Sequence, residues 1–251
     1  MRRGLAVLAI TVTLVLGLSS AAQAIANGEP VPDGKYRFSV KLTMTGIPTA
    51  AGGKRNSACS GALVSAEWVI TAGHCFRDAN GVRVEYPVAD LTTATVGRTD
   101  LTNTTTGHEV KIVEVHQSPT ADVSLARLET PIRDIRPIKL AKRPPVVGQV
   151  LRLTGYGSTT SVNPAPEPRL RTGKLQIVSM SDSVIGLSGH SPQPDTTPCP
   201  YDSGGPFFIE SKHARPTLVA LVSNGPSCPH AQVENAARTD NLSPWIQETT
   251  H

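Results

Sequence analysis

Three short segments carry the side chains that hydrolytic chemistry needs. Ser203 lies in DSGGP at 202–206, where the glycines favour a tight turn that leaves its side chain exposed. His74 lies in TAGHC at 71–75, and Asp122 precedes an apolar run. A serine hydroxyl is a weak nucleophile at neutral pH, so it needs a neighbouring imidazole, which in turn needs a carboxylate to fix its tautomer. These residue types together predict a catalytic triad.

Each segment taken alone has a simpler explanation. The DSGGP segment could be only a turn, a histidine beside a cysteine is commonly structural, and an aspartate before a strand is commonly a turn residue. The conjunction favours catalysis, because the three follow the order His, Asp, Ser of a known triad template. Four other histidines have no partner motif: His116, His190, His213 and His230.

Composition limits the possible functions. The chain has 251 residues, of which 39% are apolar and 18% charged. These values are typical of one or two globular domains and exclude general disorder or a protein with several membrane spans. The formal net charge is +4, and Arg2 and Arg3 contribute two of these charges. That charge is too weak and scattered to predict a nucleic acid partner.

The N-terminal segment has the pattern of a targeting signal. Two arginines precede an uncharged apolar run from 5 to 18, and AQA at 22–24 is a small-x-small cleavage site. The run is too short to span a bilayer. We therefore predict a signal peptide at 1–24 and a mature chain that begins at Ile25. The mature protein is expected to be secreted to the extracellular space, without membrane association.

The four cysteines suit an oxidising compartment. Four cysteines allow three pairings, and proximity favours Cys59 with Cys75 and Cys199 with Cys228. A zinc site is the alternative, but no C-x-x-C or His-x-x-x-His spacing supports it. Disulfides are therefore expected, and no metal.

Short β-rich runs separated by turn residues predict an all-β protein. Two closed antiparallel units of about 110 residues each fit the length. At the end of the chain, Ser243 and Pro244 predict the cap and first position of a short helix. The predicted strands are Arg37–Leu42, Trp68–Ala72, Val110–Val115, Val123–Leu128, Val150–Thr154, Leu175–Val178, Pro206–Ile209 and Leu218–Val222.

Several segments together identify the chain as a member of the trypsin/chymotrypsin-like serine endopeptidases, most similar to small bacterial members. The resemblance covers nearly all of the mature chain. CSGALVSAEWVITAGHC at 59–75 resembles the family's histidine block without a gap. Shorter matches are LTGYG at 153–157, SNG at 223–225 and Trp-Ile at 245–246.

The resemblance implies a fold of two six-stranded antiparallel β-barrels and a short C-terminal helix. The first barrel would span 25–135 and the second 136–251, with the triad in the cleft between them. The implied function is hydrolysis of peptide bonds in proteins or peptides through an acyl-enzyme. No cofactor is implied, and we expect a monomer.

The resemblance also assigns the oxyanion hole and an activation pair. Backbone N–H groups of Tyr201 and Ser203 would stabilise the oxyanion. The family has Gly where this chain has Tyr201, so a positive φ there would be strained. The new N-terminus at Ile25 would pair with Asp202, and signal cleavage after Ala24 would produce that N-terminus directly.

Substrate selection is left open by the sequence. Thr197 lies six residues before Ser203, where trypsin-like members carry Asp, so a neutral pocket floor is expected. By resemblance, Ser223 hydrogen-bonds Asp122, and Gly225 belongs to the substrate edge. Glu234 lies either on the pocket wall, where an acid would favour Lys or Arg, or on an exposed loop.

A function of another class also fits the sequence. A catalytically weak or inactive secreted homologue could use the same cleft to bind a partner, and Tyr201 is the feature that favours this alternative. Labelling by a serine-directed phosphonate, lost in Ser203→Ala, would separate the two functions.

Overall fold

The computed structural model describes residues 25–211 and 213–250, so the predicted signal peptide lies outside the described residues. In this part of the chain the fold is all-β, with one short α-helix, α1 (Ser243–Thr250). The strands are β1 (Glu29–Pro30), β2 (Ser39–Pro48), β3 (Lys54–Leu63), β4 (Trp68–Thr71), β5 (Leu91–Val96), β6 (His108–Gln117), β7 (Ser124–Leu128), β8 (Lys139–Leu140), β9 (Val150–Gly155), β10 (Arg171–Met180), β11 (Val184–Ser191), β12 (Pro206–Ile209), β13 (Thr217–Asn224) and β14 (Glu234–Arg238).

Six antiparallel strands close the first barrel in the order β2, β3, β4, β7, β6 and β5. Val40, Leu42, Leu63, Ile70 and Leu125 are fully buried in its core. Closure leaves no free sheet edge, and the inward-facing apolar side chains fill the interior. Strands β4 and β7 are neighbours in this barrel, so the segments at their ends lie close together.

The second barrel has the strand order β10, β11, β14, β13, β12 and β9, and β9 pairs with β10 to close it. The two-barrel fold expected from the sequence is therefore confirmed. Strand β1 pairs with β10 of this second barrel, and Ile25 is fully buried in its core. The N-terminal segment was expected in the first barrel, but it packs on the second barrel.

Polar and apolar contacts join the two barrels. Ser39 Oγ lies 2.9 Å from Thr154 Oγ1, and the Ser60 N–H donates to the Ser203 carbonyl at 2.8 Å. The rings of Phe38 and Phe208 meet edge to face, with 5.3 Å between their centroids. These contacts fix the cleft between the barrels.

The C-terminal helix forms where it was predicted, with one difference. Ser243 was expected to cap it, but Ser243 is its first residue, and its hydroxyl donates to the Ala141 carbonyl at 2.9 Å. The hydroxyl therefore ties the helix to the chain entering the second barrel. Ile246 is buried at 1% exposure, which docks the helix. None of the described helices is long and apolar enough to cross a bilayer.

Both expected disulfides are present. Cys59 pairs with Cys75 across 16 residues, and Cys199 pairs with Cys228 across 29. All four cysteines are thereby used, which excludes the zinc alternative. The first bond joins β3 to the turn that carries His74, and the second lies next to the turn that carries Ser203.

Candidate active site

The pairing of β4 with β7 brings His74 and Asp122 together. His74 lies in a 3₁₀ turn directly after β4, and Asp122 lies just before β7. Asp122 Oδ2 is 2.7 Å from His74 Nδ1, and Asp122 Oδ1 accepts the backbone N–H of His74 at 2.8 Å. One carboxylate therefore holds both the ring and the main chain of His74, which leaves Nε2 free for a proton transfer.

The Asp122 carboxylate is held in its ionised form. Burial would raise its pKa, but hydrogen bonds with His74 and Ser223 and the charge of His74 outweigh burial and lower it to about 2. The Ser223 hydroxyl, from the second barrel, donates to Asp122 Oδ2 at 2.7 Å. A carboxylate in this state can fix the imidazole tautomer and stabilise an imidazolium.

Ser203 lies on a turn that only glycine at the next position allows. Gly204 has φ +78°, and a Cβ there would come within 2.1 Å of Thr71 Oγ1 and 2.5 Å of the Ser60 carbonyl oxygen. The turn therefore packs directly against the first barrel. His74 and Ser203 line one cavity of about 280 Å³. Within the described residues the Ser203 hydroxyl has no hydrogen bond. The hydrogen bond between a catalytic hydroxyl and its base commonly tightens only when substrate binds.

The backbone of Tyr201 adopts the conformation that its side chain disfavours. Its φ is +74°, in the left-handed region, where a non-glycine residue costs about 1–2 kcal/mol. Pro200 precedes Tyr201, and Ser60 Oγ donates a hydrogen bond to the Tyr201 carbonyl at 3.2 Å. Tyrosine thus holds a backbone geometry suited to glycine, and neighbouring groups must supply the compensation.

Asp202 is fully buried and meets the N-terminal segment. Its Oδ1 accepts the Gly157 N–H at 2.8 Å, its Oδ2 accepts the Cys199 N–H at 3.0 Å, and the backbone N–H of Ile25 also lowers its pKa. Burial raises the pKa of Asp202 to about 7, and these N–H groups and the charge of Lys41 oppose that rise. The two members of the predicted activation pair are therefore both fully buried, and the backbone of Ile25 influences the pKa of Asp202.

A second cavity of about 350 Å³ opens beside Ser203 and is also lined by Ser223, Gly225 and Glu234. Glu234 is 3% exposed, which excludes the exposed-loop alternative. Its Oε1 lies 2.7 Å from His230 Nε2, and its Oε2 would be 1.9 Å from a Cβ at position 225. Burial raises the pKa of Glu234, and the hydrogen bond and charge of His230 oppose this.

Thr197 does not join these residues at the cavity wall. It is fully buried, and it forms an isolated β-bridge with Ala26. The structure therefore brings Ser203, Ser223, Gly225 and Glu234 together and leaves Thr197 outside the lining of this cavity.

Sequence reasoning missed three residues of the site. His230 has no motif, and only its spacing of four from Glu234 hints at the pair. Lys41 lies between the buried residues Val40 and Leu42, so strand alternation predicts that it faces solvent. It is 4% exposed because the second barrel covers that face. Ser60 lies within the histidine block, where nothing local signals its contact with Tyr201.

Comparison with known proteins gives the family. The sequence model described as Trypsin matches residues 25–246. Serine protease 56 of Mus musculus is 25% identical over 93% of this chain, which spans only 40% of that protein. Serine protease 1 of Drosophila melanogaster is 27% identical over 90% of this chain and 85% of its own length. Trypsin iota of Drosophila melanogaster is 28% identical over 75% of this chain and 77% of its own length.

These relatives are animal proteins, so the expected similarity to bacterial members in particular finds no support among them. The match of the family model, by contrast, extends from the buried N-terminal segment to the C-terminal helix and includes both cavities. The chain belongs to the trypsin family.

Proposed function

We propose that this protein is a secreted serine endopeptidase that hydrolyses peptide bonds through an acyl-enzyme. The observation that carries the proposal is the 2.7 Å contact between Asp122 and His74, beside a cavity that His74 shares with Ser203. Membership of the trypsin family supports it. The expected substrates are proteins or peptides, and the expected active form is a monomer.

Each triad residue has one role. Ser203 Oγ attacks the peptide carbonyl while His74 Nε2 takes its proton, and the proton then passes to the leaving amine. Water repeats the sequence on the acyl-enzyme: His74 takes a proton from water, hydroxide adds to the ester carbonyl, and the proton returns to Ser203. Asp122 keeps the ring oriented and stabilises its charged form. The N–H groups of Tyr201 and Ser203 stabilise the oxyanion.

Hydrolysis of fluorescein-labelled casein by the mature chain tests this function. We expect steady turnover that a serine-directed sulfonyl fluoride abolishes. If the folded protein cleaves neither the casein nor any member of a broad peptide library, the alternative of a non-catalytic secreted homologue holds instead.

Secretion itself would activate the enzyme. In this proposal, signal cleavage after Ala24 creates an ammonium group at Ile25 that pairs with the Asp202 carboxylate; the full burial of both residues and the effect of the Ile25 N–H on the pKa of Asp202 support this. The pair is buried beside the Tyr201 segment, so it would order the oxyanion hole. No separate activation peptide is then needed.

Adding one alanine before Ile25 should lower kcat/KM at least about 100-fold. The added residue removes the charge from the Ile25 nitrogen, and leaving a buried carboxylate without its cation costs about 3–5 kcal/mol. Rates on a fluorogenic peptide, normalised to correctly folded protein, measure the effect.

The control for this variant is the same polypeptide after an aminopeptidase has removed the added alanine. Recovery of activity on exposure of Ile25 supports the pair. Full activity in secreted protein whose sequenced N-terminus is another residue would refute it.

Glu234 is proposed to select the residue on the acyl side of the scissile bond. The cavity beside Ser203 contains its buried carboxylate, which His230 holds through Oε1. An acid at this depth favours Lys or Arg over neutral side chains because a cationic side chain offsets the cost of burying the carboxylate. Thr197 does not line this cavity and is not expected to contact the substrate side chain there.

In Glu234→Gln, the preference for arginine over its neutral isostere citrulline should fall roughly 10- to 100-fold, the effect of one charge-assisted hydrogen bond. Two peptides that differ only at this residue provide the measurement through their kcat/KM ratio. An equal loss on both peptides would mean that Glu234 supports the fold and does not read substrate charge.

A further inference from the structure

Two buried polar side chains of the first barrel reach across to the turn that carries Ser203. Lys41 on β2 and Ser60 on β3 lie directly opposite each other in the paired strands. They are 4% and 1% exposed, respectively. Neither belongs to the triad, and burial of a lysine is costly unless the charge has partners. Their contacts therefore need an explanation.

The pair holds both main-chain polar groups of Tyr156. Lys41 Nζ donates to the Tyr156 carbonyl at 3.0 Å, and the Tyr156 N–H donates to Ser60 Oγ at 3.1 Å. The segment that follows wraps the buried Asp202, since the Gly157 N–H donates to it at 2.8 Å. The cross-strand pair thus fixes one wall of the Asp202 site.

The same two side chains hold Tyr201. Ser60 Oγ donates to the Tyr201 carbonyl at 3.2 Å, and Lys41 Nζ lies 5.8 Å from the centroid of the Tyr201 ring. A lysine ammonium within about 6 Å of an aromatic ring centroid makes a favourable cation–π interaction with the ring. Burial lowers the pKa of Lys41 to about 8 and the charge of Asp202 opposes this, so Lys41 is mainly charged at neutral pH.

Tyr201 needs such support because its φ of +74° is disfavoured for any residue with a Cβ. Such a conformation persists only when surrounding contacts determine it. A glycine here would need neither the carbonyl contact nor the ring contact. The tyrosine has both, and each comes from Lys41 or Ser60.

We propose that Lys41 and Ser60 are positioning residues that hold the ring and the carbonyl of Tyr201, so that its left-handed backbone keeps the N–H in the oxyanion hole. This inference rests on the proposed hydrolytic function. It assigns a role in catalysis to two side chains of the first barrel that belong neither to the triad nor to the lining of the substrate cavity beside Ser203.

A double-mutant cycle tests the inference. Ser60→Ala and Lys41→Met are made in the parent and in Tyr201→Gly, where the strain and the ring are both absent. Ser39→Ala is the matched control, because Ser39 is also a buried serine that crosses between the barrels, but its partner is Thr154. kcat and KM are measured separately on one peptide.

In the parent, we expect Ser60→Ala and Lys41→Met each to lower kcat about 10-fold with little change in KM. This loss is smaller than the roughly 100- to 1000-fold loss that follows complete removal of one oxyanion donor, because each variant only weakens the positioning of that donor. In Tyr201→Gly the same substitutions should lower kcat less than twofold, and Ser39→Ala should leave kcat unchanged. Equal losses in both backgrounds would overturn the inference, because they would indicate a general structural role.

Hydrogen exchange of residues 199–204 provides a readout that does not require turnover. Ser60→Ala and Lys41→Met should speed exchange of this segment at least 5-fold, and Ser39→Ala should not. Unchanged exchange in both variants would overturn the inference even if the parent proved inactive. If the parent were inactive but Ser60→Ala and Lys41→Met still accelerated exchange of residues 199–204, only the proposed function would be contradicted.

Discussion

Replacing Ser203 by Ala is expected to lower kcat about 10⁶-fold, the size of the loss when the nucleophile of such a triad is removed. The Ser203 hydroxyl is the group expected to form the acyl-enzyme, and His74 lines the same cavity. Without it, the remaining groups can only orient water and stabilise an oxyanion. Initial rates on a fluorogenic peptide measure the loss.

The fold should survive this substitution, because the Ser203 main chain, not its hydroxyl, bonds to Ser60. Ser211→Ala, at an exposed position on the same barrel, is the control and should retain the parent rate. If Ser203→Ala kept more than about one hundredth of the parent activity, another nucleophile would have to be responsible.

Asp122→Asn is expected to lower kcat about 10⁴-fold, as the same change does in the trypsin template. Asparagine keeps the shape of the side chain, but its amide group can turn a donor toward His74 Nδ1 and stabilise the wrong tautomer. Asp122 also accepts the His74 main-chain N–H and the Ser223 hydroxyl, so the loss would not reflect one contact alone.

The first barrel provides a matched control for this substitution. Asp134 lies 2.7 Å from His108 Nε2, another aspartate–histidine pair, but exposed and outside both cavities beside Ser203. Asp134→Asn should change kcat less than twofold. A similar loss in both variants would show that charge on the barrel, and not the tautomer of His74, controls the rate.

Most of the predicted strands contain β-branched or aromatic runs, but the prediction omitted β3, β5 and β11, although β5 (LTTATV) and the start of β11 (VIGL) also contain such residues. Pro206–Ile209 has the predicted bounds, and Trp68–Ala72 differs from its strand by one residue. Strand β14 (Glu234–Arg238) was missed because its sequence, ENAAR, contains no strand-favouring residue. This segment forms a strand because it pairs with β11 on one side and β13 on the other. Tertiary pairing here overrides local propensity.

The chemistry-bearing motifs were predictable because each is local in sequence. The turn with Ser203, the turn with His74 and the start of β7 with Asp122 each carry their own signal. Contacts that cross between the barrels carry none, and Lys41 and Ser60 belong to this kind. The pairing of β1 with the second barrel likewise depends on the whole fold.

The central claim is that His74 and Asp122 activate Ser203, and the rate of Ser203 modification tests it most directly. The mature protein is treated with a biotinylated aryl phosphonate, and peptide mass spectrometry locates and times the adduct. We expect one adduct per chain, on Ser203, formed at least 100-fold more slowly in His74→Ala and Asp122→Asn. An unmodified Ser203, or equal rates in all three proteins, would contradict the account.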